Sequence, residues 1–376
     1  MTKSIIHFLL VALGVTLFNL AGCQTNSEQP AQQLPVHPIE KGVSAPFAGF
    51  IGSRMIVGGG CNFPNTPAAE GGKKVFYNDI FMCNMEEDSL QWTQTQQLPF
   101  PIAYGATVET EESLIFIGGV NEQSSLGEVF CVGMNPQKTS LLVNPLPSLP
   151  ITIDNATATC VGKQLYVTGG NQGNGGQSLY TLCLNKDTAW TKLADYPGAK
   201  RIQPVLLASD DTLFLFGGFE VNASTKESTI SSDFRMYSIK DNTWSEPQEI
   251  PTMKDGGKRA LVGASGVRVG NKLFLAGGVN YEIFKTAVEG KASADYMKHP
   301  SEWYQFSKDL LVYDRQTKKW TVITNVDGFN KAGGSLLHHD GSLYMVCGET
   351  KPGIRTNEIV AKKLKDLLPD NDISNQ

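Results

Sequence analysis

An apolar run closing on a glycine pair returns six times along this chain. The copies are Arg54-Met55-Ile56-Val57-Gly58-Gly59-Gly60, Ser113-Leu114-Ile115-Phe116-Ile117-Gly118-Gly119, Gln164-Leu165-Tyr166-Val167-Thr168-Gly169-Gly170, Thr212-Leu213-Phe214-Leu215-Phe216-Gly217-Gly218, Lys272-Leu273-Phe274-Leu275-Ala276-Gly277-Gly278 and Ser342-Leu343-Tyr344-Met345-Val346-Cys347-Gly348. Only the last departs, with Cys347 in a glycine's place. The copies recur every 50 to 70 residues or so, the spacing of a repeat in which each unit is one small sheet that buries its faces on its neighbours. Each unit continues with a further strand, such as Asn78-Asp79-Ile80-Phe81, Asp233-Phe234-Arg235-Met236-Tyr237 or Asp309-Leu310-Leu311-Val312-Tyr313. A tryptophan follows in most units (Trp92, Trp190, Trp244, Trp320), then an exit of the Leu98-Pro99, Leu149-Pro150, Tyr196-Pro197 or Ile250-Pro251 kind. This makes four strands per unit. Glycine leaves room between adjacent sheets, and tryptophan fills the wide outer part of the wedge.

Composition agrees with a turn-rich, all-β chain. Gly accounts for 38 of 376 residues, and an apolar fraction of 41 % with 18 % charged residues excludes a disordered chain. A net charge of −5 excludes a nucleic-acid backbone as partner.

The glycine pair, the downstream aromatic and the tryptophan resemble the kelch repeat, and the resemblance implies a six-bladed β-propeller. The sixth unit lacks a fourth strand after Asn357-Glu358-Ile359-Val360. The other terminus offers one, in Gln32-Gln33-Leu34-Pro35-Val36-His37-Pro38. Residues 31–38 are therefore expected to close the ring as the outer strand of the last blade, removing an open edge. Between Asn280 and Ser307 the fifth unit carries an insertion that includes Ala294-Asp295-Tyr296 and Ser301-Glu302-Trp303-Tyr304. It is expected to hold a short helix and to cover one end of the channel.

The first residues read as an address. Lys3 precedes an apolar run from Ile5 to Phe18, about 14 residues and too short to span a bilayer core of roughly 30 Å. It ends in Leu20-Ala21-Gly22-Cys23, which resembles a bacterial lipobox. That resemblance implies a signal peptide over 1–22, lipidation at Cys23 and a tether over 23–30. The propeller follows over 31–368 and a tail over 369–376. Gln24 stands where the inner-membrane retention signal has Asp, so the expected address is the outer membrane, facing the periplasm. The six other cysteines (Cys61, Cys83, Cys131, Cys160, Cys183, Cys347) permit disulfides, but no C-x-x-C spacing occurs. Cys83, Cys131 and Cys183 recur at similar points of successive units, as small core residues would.

Propeller sites lie at one mouth of the channel, where the loops after the glycine pairs and the segments leading into the innermost strands converge. The residue after each pair is Cys61, Val120, Asn171, Phe219, Val279 and, in the sixth unit, Glu349, the one charge at that position. Arg355 follows across Thr350-Lys351-Pro352-Gly353-Ile354, in which Pro-Gly fits a type II turn. The hairpin would return Arg355 to Glu349. The neighbouring cation is expected to lower the carboxyl pKa and suit Glu349 to a base role, and Arg355 offers a planar fork to a substrate carboxylate. The alternative is a cross-strand ion pair that only orders the hairpin. Lys73-Lys74 reads as a solvated turn.

Gly348 to Thr356 resembles a segment of the bacterial N-acetylneuraminate epimerase (sialic acid mutarotase) family. So do Gly277-Gly278-Val279-Asn280-Tyr281-Glu282-Ile283-Phe284 and Pro197-Gly198-Ala199-Lys200-Arg201. The unit with Gly58-Gly59-Gly60, Asn62-Phe63 and Tyr77-Asn78-Asp79-Ile80 comes first here but late in the family's standard order. This matches the cyclically permuted branch, whose blades keep their neighbours in a closed ring. The resemblance implies interconversion of the anomers of a free acidic sugar, N-acetylneuraminate foremost, with no cofactor and no metal. Glu349 and Arg355 would be the catalytic pair, Glu349 as base and Arg355 on the C1 carboxylate, with the acid unassigned. Arg201 would be a second anion contact, and Asn62, Asn121, Asn171, Glu220, Asn280 and Glu282 would bind hydroxyls. For each of these the alternative is a capped or solvated loop residue. The departure is Pro101-Ile102-Ala103-Tyr104, where the standard family has Arg before an inner strand.

Three other readings compete. One is a non-catalytic kelch propeller that binds a glycan or protein at the cell envelope, since fold does not fix function. Another is a sialidase, but no Ser-x-Asp-x-Gly-x-Thr-Trp box occurs. The last is a copper oxidase, for which His338 and His339 point to opposite faces of their strand.

Overall fold

A computed structural model describes residues 34–368. Expectations placed on 1–33, including the signal segment and Cys23, lie outside the described residues, as does 369–376.

Six antiparallel sheets follow one another along the chain. Blade 1 consists of Phe47–Ile51, Arg54–Gly58, Asp79–Asn84 and Trp92–Gln97. Blade 2 begins with Ala106–Glu109, blade 3 with Thr157–Val161, blade 4 with Val205–Ser209 and blade 5 with Ala264–Val269. Among the described residues blade 6 has three strands, Ser335–His339, Ser342–Val346 and Ile359–Lys363. The first strand of each blade abuts the first strand of the next, and that of blade 6 abuts that of blade 1. The molecule is a six-bladed propeller with these strands around its channel.

The core is divided among the seams between blades. Phe47, Ile56 and Ile80 of blade 1 pack on Leu114, Phe116 and Phe130 of blade 2, with Phe47 stacked on Phe116 at 4.5 Å. Equivalent clusters fill the remaining seams, including the closing one, where Phe50, Met55 and Val57 meet Leu337, Tyr344 and Val346. Burial of each such side chain contributes about 1.5–3 kcal/mol. The glycine pairs act as expected. At Gly59, with φ +62°, a Cβ would stand 2.5 Å from the carbonyl oxygen of Ile102 in the next blade. Cys347 takes the same left-handed backbone (φ +55°) and is wholly buried. The tryptophans add a further tie, because indole Nε1 donates to the backbone of the preceding element. Trp190 bonds Pro147 O (2.8 Å), Trp244 bonds Ala194 O (3.0 Å) and Trp92 bonds Pro35 O (3.2 Å).

That last bond belongs to the closure. His37 N donates to Asn357 O (2.8 Å), and Leu34 packs in the closing seam. Pro35 and Pro38 have no N–H, so the described part of the closing segment pairs through this single backbone bond instead of a ladder. The inner rim closes independently, through Gly348 N to Val43 O (2.9 Å) and Ala45 N to Gly333 O (2.6 Å). The six cysteines from Cys61 to Cys347 are free, with Cys61, Cys83 and Cys347 buried. The insertion forms a helix, Tyr281–Val288, and two short 3-10 turns, Tyr296–Lys298 and Ser301–Tyr304.

Candidate functional site

Two residues before each inner strand (one in blade 5), the chain turns through a left-handed residue. The six are Ala45, Tyr104, Asn155, Gln203, Gly263 and Gly333, with φ between +51° and +69°. Their backbones form a belt. Tyr104 N donates to Ala45 O (3.1 Å), Asn155 N to Tyr104 O (2.7 Å), Gln203 N to Asn155 O (2.9 Å), Gly333 N to Gly263 O (2.8 Å) and Ala45 N to Gly333 O (2.6 Å). All six residues line one cavity of about 590 Å³ that runs down the channel. The insertion roofs it with Asn280, Ile283, Phe284, Tyr296, Tyr304 and Phe306, so the expected cover is present. A volume of this size suits a small molecule.

The belt is uneven. Tyr104, Asn155 and Gln203 put polar side chains on one side, with Gln203 Nε2 bonded to Asn155 Oδ1 (2.8 Å). Ala45, Gly263 and Gly333 leave the other side open. Glu349 stands on that open side. Its backbone is held to Ala332 in both directions, N to O at 2.7 Å and O from N at 3.0 Å. The expected hairpin forms from Glu349–Lys351 and Ile354–Arg355, with Gly353 at φ +83° as the second central residue of a type II turn requires. Its register sets Glu349 opposite Arg355, and Arg355 Nη2 lies 2.6 Å from Glu349 Oε1. The guanidinium also lies over the Phe63 ring, 4.8 Å from its centroid, while Nε and Nη1 have no hydrogen-bond partner. Lys351 Nζ donates to His299 O (2.6 Å), tying the hairpin to the insertion.

The charges differ from expectation in two respects. Burial pushes the Glu349 carboxyl above its ordinary value, and Arg355 and Lys74 pull it down only in part. The neighbouring cation does act as expected, but desolvation opposes it and prevails. Lys74, read as part of a solvated turn, is half-buried; only Lys73 is exposed, beside Glu122. The short pairing of Cys61–Asn62 with Val75–Phe76 carries Lys74 across to blade 2, where its Nζ lies 3.3 Å from the Tyr104 hydroxyl. Burial also raises the Tyr104 phenol well above its ordinary value.

Of the hydroxyl-binding candidates, Asn280 lines the cavity, and it also caps the insertion helix by accepting from Ile283 N (3.1 Å). The others stand elsewhere. Arg201 is buried and pairs with Asp233 (2.5 Å) and Gly217 O (2.8 Å). Its equivalents in the other blades are Val43, Ile102, Ile153, Leu261 and Lys331, all buried, and Lys331 Nζ likewise turns to a backbone carbonyl, Glu358 O (3.1 Å), so the position is a packing site between blades. Asn62 is buried between Gly42 O (2.7 Å) and the Tyr77 hydroxyl (2.8 Å). Asn121 closes its own turn by accepting from Gln123 N and Ser124 N, both at 2.9 Å. Asn171 bonds Asp154 (2.7 Å), Glu220 accepts from Lys200 N (3.2 Å), and Glu282 is exposed in the first helical turn. Asn155, Gln203 and Lys74 were missed. The first two sit at the belt position rather than after a glycine pair, and aligning the units on their inner strands would have found them. Among the described residues no cluster of three or more His, Cys, Asp or Glu could hold a metal ion.

The family described as N-acetylneuraminate epimerase matches residues 146–369. The N-acetylneuraminate epimerase of Haemophilus influenzae (strain PittEE) is 35 % identical over 225 residues, covering 56 % of this chain and 57 % of that protein. That of Salmonella typhi is 30 % identical over 233 residues, covering 59 % of each. The chain thus spans less than three fifths of the length of each of these two relatives. The solved structure of YjhT is similar over 90 % of this chain and 98 % of that one, with a TM-score of 0.62 and 15 % identity, a likeness of fold.

Proposed function

Since the chain belongs to the N-acetylneuraminate epimerase family, we propose that it interconverts the anomers of a free acidic sugar, N-acetylneuraminate or a close analogue. The observation that carries this reading is Glu349, a partly buried carboxyl held at 2.6 Å by Arg355 in the wall of a roofed cavity. Glu349 takes the proton of the anomeric hydroxyl, the bond from the anomeric carbon to the ring oxygen breaks, and the carbonyl turns over before the ring recloses. Water already supports this step, so general catalysis of about 10²–10⁴-fold suffices.

Charge favours an anionic sugar. Arg355 and Lys74 stand against the single carboxylate of Glu349, leaving a positive excess in a partly buried site. Arg355 stands behind Glu349 and outside the cavity wall, so it orients the base and contributes field, and the direct grip on the sugar carboxylate expected from the sequence has no support in its placement. Asn155, Gln203 and Asn280 offer amides to hydroxyls.

The cell-envelope address and the lipid anchor at Cys23 belong to the same proposal. They rest on the sequence of the first residues alone.

Freshly dissolved α-N-acetylneuraminate, followed by NMR with and without protein, tests the activity. Faster approach to the equilibrium anomer ratio supports it. A rate equal to that of buffer removes it for this sugar.

A further inference from the structure

We propose that Tyr104 is the acid partner of Glu349, donating the proton that the ring oxygen takes as the sugar opens, with Lys74 behind it as the source that restores the phenol. The inference rests on the mutarotase reading above and names the group that reading leaves open.

Three observations converge on Tyr104. Among the six belt residues it is the one with a titratable side chain, and it lines the same cavity as Glu349. Its backbone is left-handed (φ +59°), which costs a residue with a Cβ roughly 1–2 kcal/mol that Gly263 and Gly333 avoid at the same place. Ala45, Asn155 and Gln203 bear the same cost, so the strain belongs to the belt, and the phenol is what sets Tyr104 apart. The Lys74 ammonium lies 3.3 Å from the phenol oxygen and 4.9 Å from the ring centroid, so proton donor and phenol are in contact. Finally, burial keeps the phenol protonated at neutral pH, and the neighbouring Cys61 thiol, the Glu349 carboxyl and the Arg355 guanidinium all act on it. Base and donor therefore face one space from two different blades.

The step balances. The anomeric O–H proton passes to the Glu349 carboxylate as the electron pair of the ring C–O bond moves to the ring oxygen. That oxygen takes the Tyr104 proton, and the phenol oxygen takes one from Lys74. On reclosure the sugar hydroxyl returns its proton through Tyr104 to Lys74. Glu349 gives its own to the carbonyl oxygen as the C–O bond re-forms on the other face. No oxidant, metal or further reactant enters.

The test compares wild type, Tyr104→Phe and Lys74→Met by NMR anomer exchange, with kcat and KM measured at each protein's pH optimum. Tyr104→Phe keeps the ring and removes the proton. It is expected to lower kcat at least about 100-fold with KM changed less than about threefold, the signature of a group that acts in the step itself. Lys74→Met is expected to lower kcat about tenfold. A Tyr104→Phe protein within twofold of an active wild type overturns the proposal and leaves the mutarotase reading standing. An inactive wild type overturns that reading instead, and this proposal with it. Should the Phe variant not fold, Lys74→Met decides, and an unchanged kcat there overturns the relay.

Discussion

Arg355 Nη2 and Glu349 Oε1 meet at 2.6 Å because the hairpin that joins them sets the two residues directly opposite each other. Both are anchored elsewhere as well, Glu349 through its backbone to Ala332 and Arg355 by its place over Phe63. The Arg355 side chain is 3 % exposed and that of Glu349 20 %, so the carboxylate is the member that reaches the cavity. A buried pair of this kind is costly to break from one side, since the remaining charge is left uncompensated.

Glu349→Gln keeps the shape of the side chain and removes the base. The expected result is a fall in kcat of about 10²–10⁴-fold with sugar binding retained. NMR exchange rates together with calorimetric binding check it. Activity preserved within twofold would remove Glu349 from the base role.

Lys74 lowers the Glu349 pKa, so its removal raises it. The acidic limb of the pH–rate profile reports that group and should move to higher pH in Lys74→Met. Arg355→Met should move it further in the same direction, because Arg355 is the stronger of the two cationic influences. An unmoved acidic limb in both variants would mean that the limb belongs to another group.

His37 is 1 % exposed between Phe81 and Trp92, and burial lowers its pKa to about 4. Between roughly pH 6.5 and that value the unfolded chain binds a proton that the folded chain refuses. Stability is therefore expected to fall as pH drops through this window, by roughly 3 kcal/mol from this residue. Chemical denaturation of wild type and His37→Gln at several pH values measures it. Parallel pH curves for the two proteins would contradict it.

Gly59→Ala places a Cβ 2.5 Å from Ile102 O on a backbone of φ +62°. The blades cannot separate there without opening the seam packed by Phe47 and Phe116. The expected loss is about 2 kcal/mol or more, readable as a lower denaturant midpoint. Gly52→Ala is the control, since its Cβ would meet nothing within 4 Å although φ is +58°. It isolates the backbone strain from the clash.

Several features of the site were legible before any fold was known. Glu349 and Arg355 stand out because a repeat exposes departures: five units carry an uncharged residue after the glycines and the sixth carries an acid. The Pro352-Gly353 turn then sets the register, because turn chemistry is local. Lys74 was not legible. Its neighbour Tyr104 lies 30 residues away in another blade, and an isolated Lys-Lys pair gives no sign of what crosses it. Arg201 misled for the opposite reason. Its charge suggested an anion site, whereas its place between blades hands the guanidinium to Asp233 and Gly217.

The sequence by itself determined the number of blades, the strands that make them and the hairpin that pairs Glu349 with Arg355. These depend on period, side-chain size and turn residues, all of which act within one unit. Only the tertiary structure decided which side chains share the cavity and in which direction burial moves their protons. Desolvation depends on everything packed around a group, and in a closed ring that packing comes from blades far apart along the chain.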